Sequence, residues 1–133
     1  MTDTRYAVRR ALWAVRARVR GMTSTPALRP FADAIDSQDW HTLRTLLAPG
    51  FHGVFVHDGR TFDADSFVDF QRAYPGRWRF EVVDHVEAGD RAVARSRVSD
   101  GEQVFHVATF ATMVDGLITD LVEVWTEAAT GPV

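Results

Sequence analysis

The groups in this chain able to move a proton near neutral pH are five histidines and eighteen carboxylates. The chain holds no cysteine and no lysine, which removes thiolate nucleophiles, zinc–thiolate centres, disulfides and lysine Schiff bases together. Glu123 is the carboxylate of most interest, because Leu121, Val122, Val124 and Trp125 surround it in sequence. Facing a core, it would hold its proton to higher pH and serve as a general acid or base; facing outward, it is a surface acid beside an arginine. His57 shares strand parity with Gly53 and Phe55, which aims it at the mouth of any pocket on that face, as a partner acid or base. Its bland alternative is a polar hairpin residue two positions before Gly59. His106 is the third catalytic candidate, although the facing count below turns it outward; His85 counts outward too, and His41 and His52 read as surface positions.

Other chemistries find no support. His57, His85 and His106 lack the local spacing of a metal site and divide between the two sides of a sheet, so no metal is expected. There is no glycine-rich phosphate loop and no Gly-x-Ser-x-Gly elbow, so no cofactor is expected either. Asp33 and Asp36 share a helical face that is most simply solvated.

The elements that must hold these groups follow from periodicity and turn chemistry. Leu28, Phe31, Ala34 and Ile35 mark a first helix of the domain. A second starts at Ser37 or Asp39 as N-cap, runs through Trp40, Leu43, Leu46 and Leu47, and is read to end at Pro49-Gly50. Phe51 to Val56 and Arg60 to Phe62 make a hairpin around Asp58-Gly59. Asp63 caps a third helix carrying Phe67, Phe70 and Tyr74 on one face, closed by Pro75-Gly76. Four long strands follow, Trp78 to Val86, Arg91 to Val98, Gln103 to Val114 and Ile118 to Glu127, joined by short Gly-containing turns that force antiparallel neighbours.

In the second of these strands Ala92, Ala94, Ser96 and Val98 alternate with three arginines, so the arginine side is the outer face. Counting across Asp100-Gly101 places Phe105, Val107, Thr109, Ala111 and Met113 inward, and His106 and Phe110 outward. The strand is apolar on both faces, so a second subunit or another part of the chain should cover the outer one. The last strand carries two competing apolar sets, Val122 with Val124 and Leu121 with Trp125, and a bulge decides which faces in. The residues expected to line a pocket are Phe31, Phe55, Phe67, Phe70, Trp78, Phe80, Phe105, Val107, Thr109 and Trp125.

A length of 133 residues with 46% apolar content supports a single core. Residues 1–22 read as a basic amphipathic helix, with Val8, Leu12, Val15 and Val19 on one stripe and six arginines against one acid. Residues 23–26 form a linker, 27–128 the domain and 129–133 a tail. The leader can dock on the acidic body, touch anionic lipid or contact nucleic acid; docking is the favoured reading, and membrane contact through residues 4–20 ranks below it. Arginines without interleaved aromatics on an acidic protein argue against a nucleic-acid partner. With no membrane-length apolar run, no signal core and no cysteine, a cytoplasmic setting is expected.

Two short helices, a hairpin, a third helix and a four-strand meander resemble the nuclear transport factor 2-like, or SnoaL-like, superfamily. The segment FADAIDSQDWHTLRTLLAPGF resembles its opening helices and FATMVDGLITDLVEVWTE its closing hairpin. The resemblance covers about Ala27 to Glu127. It implies an α+β cone, with three helices in the concavity of a strongly curved mixed or antiparallel sheet, a small hydrophobic ligand and a homodimer formed through the outer sheet face. Function in that superfamily spans isomerases, dehydratases, cyclases, epoxide hydrolases and non-catalytic members. The positions where its ketosteroid isomerases place a tyrosine and two acids correspond here to Phe31, roughly Phe55, and Thr109, so that active site is absent. What the resemblance implies is a small-molecule pocket, with cofactor-independent acid–base chemistry or with binding alone.

Overall fold

A computed structural model of the chain describes residues 27–127 and the backbone of 129–130. The basic leader assigned to residues 1–22 and the linker at 23–26 lie outside the described residues. Three helices, α1 (Leu28–Asp36), α2 (Trp40–Thr45) and α3 (Ala64–Ala73), pack on a sheet of seven strands: β1 (Leu47–Phe55), β2 (Arg60–Phe62), β3 (Arg79–Ala88), β4 (Arg91–Ser99), β5 (Gln103–Val114), β6 (Leu117–Trp125) and β7 (Ala129–Thr130). The strand order is β2-β1-β6-β5-β4-β3, with β7 beside the start of β5. Every pairing is antiparallel except β1 with β6, so the sheet is mixed.

Side chains bind the helix ends to the sheet. Glu87 on β3 accepts the Ala27 N–H at the start of α1. At the other end, Asp36 receives two hydrogen bonds from Arg79 and one from the Phe80 N–H, and the Arg79 guanidinium holds its carboxyl below the ordinary range. Asp39 caps α2 through the Thr42 N–H, and Asp63 with Ser66 forms a capping box on α3.

The second helix is shorter than its apolar spacing predicts. It stops at Thr45, and β1 already begins at Leu47 because the Ile118 N–H bonds the Leu46 carbonyl and Leu47 pairs with Ile118. Strand pairing here overrides helix propensity. Pro49 is tolerated because the β1–β6 register breaks between Leu47 and His52, where no ladder N–H is needed.

Two further irregularities decide which side chains face in. The β3–β4 register shifts between Val82 and Asp84, so Glu87 comes opposite inward-facing Ala92 and can reach α1. The same shift puts His85 opposite Ala94, yet its side chain stays exposed at the sheet edge. On β6, Met113 pairs with Ile118 but Thr112 pairs with Asp120, and this step turns Leu121, Glu123 and Trp125 inward while Val122 and Val124 face out. The sheet interior then closes on Phe67, whose ring lies 5.4 to 6.4 Å from those of Phe51, Phe55, Phe62 and Phe31.

Candidate functional site

Where β1, β3, β5 and β6 reach the open end of the sheet, a cavity of about 590 Å³ remains between them and the helices. Six aromatic side chains encircle it. Phe70, Tyr74, Trp78, Phe105, Trp125 and Phe55 form a closed circuit in which successive ring centroids are 5.7, 5.9, 5.6, 6.2, 6.2 and 5.5 Å apart. Ile35, Phe80 and Val98 complete the apolar wall, and Gln38, His57, Asp58, Arg60 and Glu127 supply polar groups. Trp78 is fixed locally: its indole N–H donates to the Pro75 carbonyl at 2.9 Å, and a Cβ at Gly76 would sit 3.0 Å from that nitrogen. Gly76 also has φ +99°, so the turn admits this ring only with glycine there.

Glu123 stands behind this wall and does not line the cavity; it is paired across the sheet with Thr109 on β5 and with cavity-lining Phe55 on β1. It is 1% exposed and takes a 2.8 Å hydrogen bond from the Thr109 hydroxyl. Burial pushes its carboxyl up to about 7, against smaller downward pulls from the Thr109 hydroxyl and the Trp125 indole N–H. That indole N–H and the Ser96 hydroxyl are both buried and have no hydrogen-bond partner of good geometry among the described residues. Trp125 thus forms cavity wall on one side and roof over the carboxyl on the other.

The remaining sequence candidates divide among three places. His57 lines the cavity, stacked on Phe55 at 5.8 Å with its Nε2 3.5 Å from Asp58. His106 faces outward, and neither of its buried ring nitrogens has a partner among the described residues. Phe55, Phe70, Trp78, Phe80, Phe105 and Trp125 line the cavity. Phe31, Phe67, Val107 and Thr109, expected to line it as well, are instead sealed in the core: the first two fill the space between helices and sheet, and Val107 and Thr109 lie beside Trp125 and Glu123, their cross-strand partners. Sequence reasoning did not single out Tyr74 as lining or Asp58, Arg60 and Glu127 as rim groups; the Asp58-Gly59 turn signal was the one hint that hairpin side chains would gather at the mouth. Among the described residues no cluster of histidines and acids is arranged to hold a metal ion, and no helix is long and apolar enough to cross a membrane.

Residues 28–121 match the model of the SnoaL-like domain. The chain belongs to that family. Solved structures place this SnoaL-like domain in the NTF2-like fold. A protein from Kribbella flavida described as a candidate ketosteroid isomerase superposes with TM-score 0.73 at 22% identity, over 80% of each chain. IdmH from Streptomyces antibioticus, described as a candidate polyketide cyclase, gives 0.66 at 18% identity over 74% of this chain and 88% of that one. A protein of ketosteroid isomerase-like fold from Catenulispora acidiphila, solved in complex with trimethylamine, gives 0.65 at 17% identity over 76% and 85%. No curated protein matches the chain. These likenesses establish the fold.

Proposed function

We propose that this SnoaL-like domain binds a small hydrophobic molecule in the cavity at the open end of its sheet. The observation that carries the reading is the closed aromatic circuit around about 590 Å³ of space, a volume in the range of small-molecule sites. Rings held by Gly76, Pro75 and the β6 register shift are preformed, so little ordering has to accompany binding. Titration with neutral N-phenylnaphthylamine, read by quenching of Trp40, Trp78 and Trp125, tests it. Saturable 1:1 binding, weakened about tenfold by Phe105→Ala with an unchanged circular dichroism spectrum, is the expected result. Absence of saturation, or equal affinity in the variant, defeats the reading.

A second reading, proton transfer on the bound molecule, is favoured by one observation: Glu123, packed against the cavity-lining residues Phe55 and Trp125, holds its proton to about pH 7. His57, with Asp58 beside it, would be the partner on the cavity wall. Deuterium exchange into a cyclic aryl ketone, above the buffer rate in the wild type and lost in Glu123→Gln, would support it; exchange at the buffer rate removes it.

The domain's partner in this reading is a second copy of itself. On the outer face Val93, Phe110 and Val122 lie in register across β4, β5 and β6, and Phe110, Val122 and Val124 are 39%, 37% and 43% exposed. Arg95 beside Asp84 and Arg97 beside Glu81 border this apolar strip, offering charges of both signs to an identical face turned about a two-fold axis.

A further inference from the structure

We infer that the ligand is an organic cation, a tertiary amine or quaternary ammonium with apolar substituents, held at the centre of the six-ring circuit. This rests on the small-molecule reading above and narrows it. Six rings arranged as the walls of a hexagonal prism would meet their neighbours at about 60°, each presenting its electron-rich face to the centre. The successive interplanar angles here are 54, 67, 52, 80, 61 and 79°, with four of the six pairs meeting edge to face, so ring faces and ring edges both border the space. With neighbouring centroids 5.5 to 6.2 Å apart, a flat hexagon of these rings would have its centre about 6 Å from every centroid, the distance over which a cation is attracted to an aromatic face. One wall already receives a cation on the rim: the Arg60 guanidinium carbon lies 5.0 Å from the Phe70 centroid.

The charges around the cavity favour the same sign of guest. Arg60 is the lining group with a permanent positive charge, and it is paired with Asp58, 3.5 Å from its Nη2. Glu127 on the rim has no ion-pair partner among the described residues. Below the ring sits Glu123, with no cation against it among the described residues; its neighbours are Thr109 from β5, Phe55 from β1 and Trp125 on its own strand. An anionic guest would meet Glu127 at the rim, where Asp58 and Arg60 offset one another, and would have the Glu123 carboxyl behind the Phe55 and Trp125 wall. A cationic one supplies the counter-charge that Glu123 lacks, and its binding draws the proton off that carboxyl.

Phenyltrimethylammonium and its uncharged isostere tert-butylbenzene separate charge from shape. Titrated into the full chain with tryptophan fluorescence as readout, the cation should bind about tenfold or more tightly than the isostere at pH 8. Its affinity should fall at least about threefold on going to pH 6, as Glu123 regains its proton, and Glu123→Gln should flatten that dependence. His57 also faces the cavity and gains positive charge in acid, so His57→Gln is measured alongside and should retain the Glu123-dependent part. Equal or tighter binding of tert-butylbenzene overturns the cation inference and leaves the hydrophobic pocket standing. Binding of neither compound overturns both. A pH dependence that persists in Glu123→Gln removes Glu123 from the account.

Discussion

Replacing Glu123 by glutamine should make the protein more stable above neutral pH and leave it little changed in acid. The side chain is 1% exposed, and its carboxyl stands at about 7 against an ordinary 4.5. A group whose folded pKa is raised binds more protons in the folded than in the unfolded chain, so stability declines as pH rises through that window. The decline begins near pH 4.5, where the unfolded chain loses its proton, and flattens above about 7, where the folded one does. Its full size is about 3 kcal/mol, the free energy equivalent of moving a carboxyl from 4.5 to about 7. Glutamine keeps the shape and can still accept from the Thr109 hydroxyl, but has no charge to desolvate. Urea unfolding of wild type and Glu123→Gln from pH 5 to 9 isolates the effect, because every other titrating group cancels in the difference. With a urea slope of about 1.5 to 2 kcal/mol/M, the variant's midpoint should exceed the wild type's by about 1.5 to 2 M at pH 9, by about 0.5 M at pH 5, and converge with it below about pH 4. Parallel stability curves across the range would show that the carboxyl is not buried in the charged, uncompensated way described above.

Three further outcomes follow from the same packing. Ser96→Ala should stabilise the fold by about 1 kcal/mol, since the Ser96 hydroxyl is buried without a partner among the described residues; a loss of similar size in thermal unfolding would mean the hydroxyl is satisfied. Phe67→Ala should cost about 3 to 5 kcal/mol in urea unfolding, because the ring is fully buried amid four other phenylalanines; a cost near 1 would mean the core collapses around the gap. Phe110→Glu, at an exposed outer-face position, should shift the sedimentation coefficient from dimer to monomer without altering the circular dichroism spectrum, and an unchanged coefficient would move the self-association to another surface.

Local chemistry made the framework legible. Asp39 and Asp63 begin helices, Pro75-Gly76 ends one, and Asp115-Gly116, both with positive φ, turns β5 into β6. Alternation alone assigned the inward residues of β4 and β5, because a one-residue slip would bury arginines. Two-residue periodicity carries no such information across a register shift, and both shifts that mattered lie where no glycine or proline announces them. The step beside Thr119 turned Glu123 and Trp125 inward together, and the one at Val83 brought Glu87 to the start of α1. Leu46 and Leu47 read as helix because their strand partner, Ile118, lies far along the chain and is invisible to local pattern. The same distance effect separated cavity from core: Phe31 and Phe55 look alike in sequence, and only the gap left between the helices and the far end of the sheet makes Phe55 a wall and Phe31 a filler. The sequence by itself determined that a carboxyl stands among apolar residues at position 123 and that the strands around it must bury one face. Tertiary structure decided that this carboxyl is the buried one, since its environment is assembled from β1, β5 and β6, three strands whose meeting depends on pairing geometry rather than on residue type.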